Sequence, residues 1–378
     1  MGHDKGMRWS RRKVVALCLS PLLALPTLIA CADDDDEVPR CMNANCSVSA
    51  ATGSGGSTGS STGSNGIVVW SNGFGDGADQ FAEGVATLGD GGTYVAGWFS
   101  GTLDFGRAAV SGVGGEGMSR GPADHEGKDM WAHAFGQARD SIDVNDGMAV
   151  APDGAGNVYF ASTLVGDTSL SPNSDDVLTH DDSTEAEPFV VKLDLDGNLL
   201  WARNFAPTST NPTVRDLDVD DAGNVCLSGD ASGSGVLLDS PLDFGHQAFA
   251  ACLAGNDGDT LWEALVGHSF AGILGHGIAV RPDGGAVLVG TFNATITIDG
   301  VETPTFGDQS DTIFVVAYDD AGAVEWSSII GDAQNQTGRD VAIDDDGNIY
   351  IVGAFLGSLD FGGAAIDSTD NTHFDAYV

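Results

Sequence analysis

The stretch Val341-Ala342-Ile343-Asp344-Asp345-Asp346-Gly347-Asn348-Ile349-Tyr350 decides the fold. Apolar Val341 and Ile343 alternate with a small residue, an acidic run ends on a glycine, and a second apolar run follows, which is the sequence form of a β-hairpin. The same element recurs upstream as Asp90-Gly91-Gly92-Thr93-Tyr94, Gly156-Asn157-Val158-Tyr159, Gly223-Asn224-Val225-Cys226 and Gly284-Gly285-Ala286-Val287. Alternating pairs such as Leu217 and Val219, or Ile278 and Val280, lie ahead of these turns.

Working outward, a tryptophan precedes each turn glycine by 21 to 25 residues: Trp70, Trp131, Trp201, Trp262 and Trp326. Later copies carry a second hairpin ahead of that tryptophan, as in Phe189-Val190-Val191-Lys192-Leu193, the turn Asp196-Gly197-Asn198, then Leu199-Leu200-Trp201. Two hairpins per repeat make a four-stranded sheet, which cannot bury both faces alone and must stack on its neighbours. After the first thirty residues no sustained 3.6-residue apolar period is present. The expectation is an all-β chain, a β-propeller of about five four-stranded blades spanning residues 67–378.

The copies share a tail: Leu103-Asp104-Phe105-Gly106, Leu242-Asp243-Phe244-Gly245 and Leu359-Asp360-Phe361-Gly362, with Ile298-Asp299-Gly300 as a decayed form. Taken with the hairpin before the tryptophan and the Asp-x-x-Gly-Asn-x-Tyr turn, this resembles the bacterial propeller repeat SBBP, known from exported proteins and abundant in myxobacterial-type lipoproteins. The resemblance implies fold and implies no fixed catalytic residues. The second copy departs from the pattern, because Lys128-Asp129-Met130-Trp131 shows no full hairpin before its tryptophan, and its blade is expected to lack a strand. Residues 107–127 and 165–187 read as insertions.

The ends complement each other. Phe374-Asp375-Ala376-Tyr377-Val378 aligns with the first strand of a hairpin, and Ile67-Val68-Val69-Trp70 with a second strand. Pairing them would close the ring and remove two exposed edges; the alternative is a chain whose further repeats are missing.

Ahead of the repeats, Arg8, Arg11, Arg12 and Lys13 precede an apolar run from Val14 to Ala30, the layout of a secretory signal. The run is too short and too rich in proline for a spanning helix of ~20 residues. It ends in Leu28-Ile29-Ala30-Cys31, which resembles a bacterial lipobox, so residues 1–30 form a lipoprotein signal peptide and Cys31 is the expected lipidated N-terminus. An ordinary signal cleaved after Ala30 or Ala32 is the alternative. Residues 31–66 read as an acidic segment and a Gly/Ser/Thr-rich tether. Ala32, rather than Asp, after the cysteine favours the outer membrane over the inner one. The expected location is thus the cell envelope, at the outer-membrane surface or a periplasmic face.

With 55 acidic against 15 basic residues and a net charge of −40, the chain repels nucleic acid and anionic headgroups. Cys41 and Cys46 stand five apart in a polar stretch and can close a small exported disulfide loop. Cys226 and Cys252 lie in strand-like runs and read as buried free thiols.

Asp216, Asp218 and Asp220 before Gly223, and Asp344 and Asp346 before Gly347, invite a calcium reading, yet no glutamate closes such a loop and Asp-Gly-Asn is ordinary turn chemistry. The eight histidines have no ligand spacing. Neither a nucleophile elbow nor a phosphate loop is present, and no cofactor is implied. The leading functional reading is a membrane-anchored, non-enzymatic scaffold binding a protein or glycan. A propeller glycosidase using inward carboxylates and a quinone-binding or membrane-assembly propeller are the alternatives.

Overall fold

The computed structural model describes residues 76–378 apart from residues 78, 89–91, 105–108, 122–130, 136–147, 165–167, 171–176, 179–186, 205–211, 239, 270–271, 308 and 371. Among them no helix occurs; the chain runs through successive antiparallel sheets.

The first sheet joins β1 (Gln80–Thr87), β2 (Thr93–Asp104), β3 (Ala109–Gly121) and β4 (Trp131–Phe135) in chain order. β5 (Ala149–Pro152) and β6 (Val158–Leu164) begin the second, a short hairpin of β7 (Thr168–Ser169) and β8 (Val177–Leu178) follows, and β9 (Glu187–Leu193) with β10 (Leu199–Asn204) completes it. The third contains β11 (Thr213–Val219), β12 (Val225–Leu237), β13 (Ser240–Leu253) and β14 (Thr260–Ser269). In the fourth, β15 (Ile273–Val280) and β16 (Ala286–Phe292) are separated by the hairpin β17 (Ile296–Ile298) and β18 (Val301–Thr303) from β19 (Thr312–Tyr318) and β20 (Val324–Ile330). The last begins with β21 (Gln336–Ile343) and β22 (Ile349–Phe355), carries the hairpin β23 (Ser358–Leu359) and β24 (Ile366–Asp367), and ends on β25 (Asp375–Tyr377), paired to β22.

One expectation is corrected at once. Residues 109–121, read as part of an insertion, form β3, which pairs with both β2 and β4, so the first sheet lacks no strand. The strand was hidden because Val110-Ser111-Gly112-Val113-Gly114-Gly115-Glu116-Gly117 has too many glycines to show apolar alternation. The shared tail also proves less regular than its letters. Leu103 and Leu359 end an outgoing strand, whereas Leu242 lies on the return strand β13, and Asp299-Gly300 forms the two-residue turn between β17 and β18, both at positive φ.

Stacking explains why central strands are apolar on both faces. Every residue of β16 and β19 is buried, because a neighbouring sheet covers each side. Four hydrophobic cores result, each shared between consecutive sheets. The first joins Phe135 with Phe160, the second Trp201 with Leu217 and Phe249, the third Trp262 with Ile278 and Phe314, and the fourth Ile313 with Val341 and Tyr377. The leading strands β1, β5, β11, β15 and β21 pack side by side in that order. The proposed partner of β25, residues 67–70, lies outside the described residues, as do Cys31, Cys41 and Cys46.

Candidate functional site

The turn motif works as a self-contained clasp. In the turn from Asp220, one carboxylate oxygen accepts the Asn224 N–H at 2.7 Å and the other accepts the Asn224 side-chain amide at 2.8 Å. Asp153 with Asn157, Asp194 with Asn198 and Asp344 with Asn348 repeat the arrangement. Gly156, Gly223, Gly284 and Gly347 all have φ between 82° and 95°, where a side chain is strained; Gly91 lies outside the described residues. Hydrogen bonding, led by the Asn348 amide, holds the Asp344 carboxyl below its ordinary range.

The aspartates singled out for calcium are not gathered at one point. Asp216 and Asp218 reach sideways to accept the Ile278 N–H at 3.1 Å and the Val280 N–H at 2.9 Å, stitching β11 to β15. Asp220 and Asp344 are engaged by their own turns, and Asp346 contributes its backbone N–H to Asp344. Among the described residues no group of three or more His, Cys, Asp or Glu side chains is arranged to hold a metal ion.

The tryptophans are the link between sheets. Trp131 donates its indole N–H to the Leu195 carbonyl at 3.0 Å, and Trp201 does the same to Gly255 at 3.1 Å. Both acceptors belong to the turn between the third and fourth main strands of the following sheet. Trp262 lies against Gly322 of the next such turn, where an added Cβ would meet the indole at 2.9 Å. Trp326 is 41% exposed, against 6% for Trp262. Trp70 lies outside the described residues.

Around Gly255 sits a polar knot that the sequence did not reveal. Lys192 donates to the Gly255 carbonyl at 2.7 Å, pairs with the buried Asp153 at 3.2 Å and lies 4.8 Å from the Tyr159 ring centroid. The Tyr159 hydroxyl donates to the Gly223 carbonyl, and burial, then Asp153 and Asp220, push its pKa upward. Only Lys192, a charge inside an apolar strand, hinted at this.

Cys226 and Cys252 are joined in a disulfide, contrary to the free-thiol expectation. They are directly paired across β12 and β13, a register that the sequence, with the two cysteines at a separation of 26, does not display.

A further regularity lies in the leading strands. β1, β11, β15 and β21 each carry a bulge at the same repeat position, which leaves Glu83, Arg215, His276 and Arg339 outside the ladder. Met148 holds the matching place before β5. Each stands eight residues ahead of its turn glycine, a spacing the sequence contains but does not mark as special. Nearby, a small cleft between β11, β15 and β21 is lined by Asp216, Asp218, Ile278 and Asp340 among others.

Residues 325–354 match the family SBBP, a beta-propeller repeat. The chain is also 26% identical over 264 residues to an uncharacterized WD repeat-containing protein of Acanthamoeba polyphaga mimivirus, covering 60% of this chain and 19% of that protein. The chain thus spans about a fifth of the length of this curated relative. Antiparallel sheets stacked through their leading strands, the repeat match and the similarity to a WD repeat-containing protein together support a repeat β-propeller architecture.

Proposed function

We propose that this protein is an exported, lipid-anchored propeller of five blades that serves as a non-enzymatic binding scaffold for a protein or glycan. The supporting observation is where its apolar surface lies. Val236, Val301, Phe306, Phe361 and Ile366 are exposed on the extensions between the second and third main strands of the last three sheets, while other exposed apolar side chains such as Leu195, Leu200, Leu261 and Tyr350 lie on or beside the main strands and turns. Large exposed apolar side chains on the extensions of three successive sheets favour an interaction surface there, whereas the turn aspartates are engaged within their own turns. In this reading Cys31 carries the lipid, residues 47–66 space the body from the membrane, and residues 67–70 complete the last sheet beside β25.

Binding of the purified chain to a broad glycan array, with and without calcium, tests the scaffold. Selective binding weakened by Val301→Asp and Phe361→Asp supports this face; selective binding untouched by both overturns it, and a blank array moves the reading to a protein partner. Closure is tested by Val68→Pro, which should lower the melting temperature by several degrees, and an unchanged value refutes it.

A further inference from the structure

The bulged position of the leading strands keeps its backbone and changes its residue. Glu83 occupies it in the first sheet and Arg215, His276 and Arg339 in the last three, while Met148 stands at the matching sequence place just before β5. A side chain that recurs from copy to copy serves the repeat, as the turn aspartates Asp153, Asp220 and Asp344 do. Here instead three cationic or protonatable groups stand on consecutive strands that pack side by side, in a chain with 55 acidic and only 15 basic residues.

Arg215 is engaged, whereas the Arg339 and His276 side chains make no hydrogen bond or ion pair among the described residues. Arg215 pairs with Asp230 on β12, and that carboxyl also feels His246. Arg339 is exposed and makes no hydrogen bond or ion pair among the described residues. His276 is half-buried, and burial, then Arg339 and Arg215, press its pKa down to about 3. Its carbonyl accepts from Ser228 at 3.4 Å, while its ring makes no hydrogen bond among the described residues. Gly275 and Gly277 flank it, so the backbone beside the ring carries no bulk.

We propose that Arg215, His276 and Arg339 form a binding site for a single oxyanion, a sulfate or carboxylate group, on the inner edge of the third to fifth sheets. A planar guanidinium grips such an anion with two parallel N–H donors. The neutral His276 ring supplies a third donor through its N–H, and an anion between the two guanidiniums offsets their repulsion of a second ring proton. The site stands apart from the apolar face discussed above and does not depend on it.

The test is titration of the full chain at low ionic strength with sodium sulfate and, separately, sodium glucuronate, read by calorimetry and by NMR of the His276 ring. Saturable binding of at least one anion, a rise of the His276 pKa by more than one unit, and at least tenfold weaker binding in Arg339→Gln are expected. Preference for sulfate or for glucuronate identifies which group the site takes. Arg281→Gln is the control, because Arg281 pairs with Asp283 and Glu325 elsewhere. Circular dichroism checks that each variant is folded. Absence of saturable binding by both anions, or equal binding in wild type and Arg339→Gln, overturns the proposal.

Discussion

The indole N–H of Trp201 and the ammonium of Lys192, from two strands of one sheet, converge on a single acceptor in the next, the carbonyl oxygen of Gly255, at 3.1 and 2.7 Å. The same turn brings Gly258 against the indole face, where a Cβ would lie 2.8 Å from Trp201. Hydrogen bonding and close approach therefore make one contact between sheets, and each half can be tested.

Gly258 and Gly300 both have positive φ, 78° and 75°, but nothing lies within 4 Å of a Cβ placed on Gly300. Gly300→Ala should therefore cost only the backbone strain, about 1–2 kcal/mol. Gly258→Ala should cost a further ~1–3 kcal/mol by displacing the indole. Urea denaturation of the two variants measures the difference, and equal costs would show that the tryptophan is not held by this turn.

Removing the Lys192 charge leaves Asp153 buried without its cation. Lys192→Met should destabilise the chain by about 3–5 kcal/mol. Asp153→Asn keeps an oxygen for the Ala155 and Asn157 N–H groups that Asp153 now serves at 2.9 and 2.8 Å. The double variant should thus recover part of the loss, and additive costs in a double-mutant cycle would deny the coupling.

The disulfide between Cys226 and Cys252 closes a loop with a sequence separation of 26. Chain entropy sets its contribution at about 3–4 kcal/mol. Alkylation under denaturing, non-reducing conditions should leave both cysteines unmodified, and reduction should move the urea midpoint down by a corresponding amount. Recovery of either residue as an alkylated thiol without reductant would contradict the bond.

Acid should weaken the fold well above the carboxylate range. His276 titrates near 3 when folded and near its ordinary value, about 6.5, when unfolded. The unfolded chain then binds the extra proton first, so stability is complete above pH 6.5 and falls as pH drops from there toward 3, with a limiting slope of ~1.4 kcal/mol per unit. Asp194 and Asp344, held low, add losses of the same sign only below about pH 4. Glu83 and Asp230, whose pKa values burial raises, act in the opposite sense. His276→Gln should flatten the profile between pH 6.5 and 4.5, and an unaltered slope would assign it to other groups.

Much of the architecture was legible because a repeat writes its local rules several times. Asp220 with Asn224, and Asp344 with Asn348, lie within one turn of chain, so spacing alone identified the motif. What escaped depends on register. β3 carries glycines where alternation would show, Cys226 meets Cys252 only after two strands align, and Lys192 finds Asp153 through a pairing of β6 with β9. The bulged residues were invisible for a related reason: an extra residue in one strand is defined only against its partner. The tryptophan spacing was plain, yet its purpose was not, because Trp131, Trp201 and Trp262 each meet a turn belonging to a later copy.

That order gives the stack a direction. The indole belongs to the earlier sheet and its acceptor to the later one, for Trp131 with Leu195 as for Trp201 with Gly255. A chain emerging amino end first therefore has the indole in place before the turn that receives it at the seams into the second, third and fourth sheets. The contacts thus have one polarity along the polypeptide, each seam made by an indole from the amino-terminal side and a turn from the carboxy-terminal side.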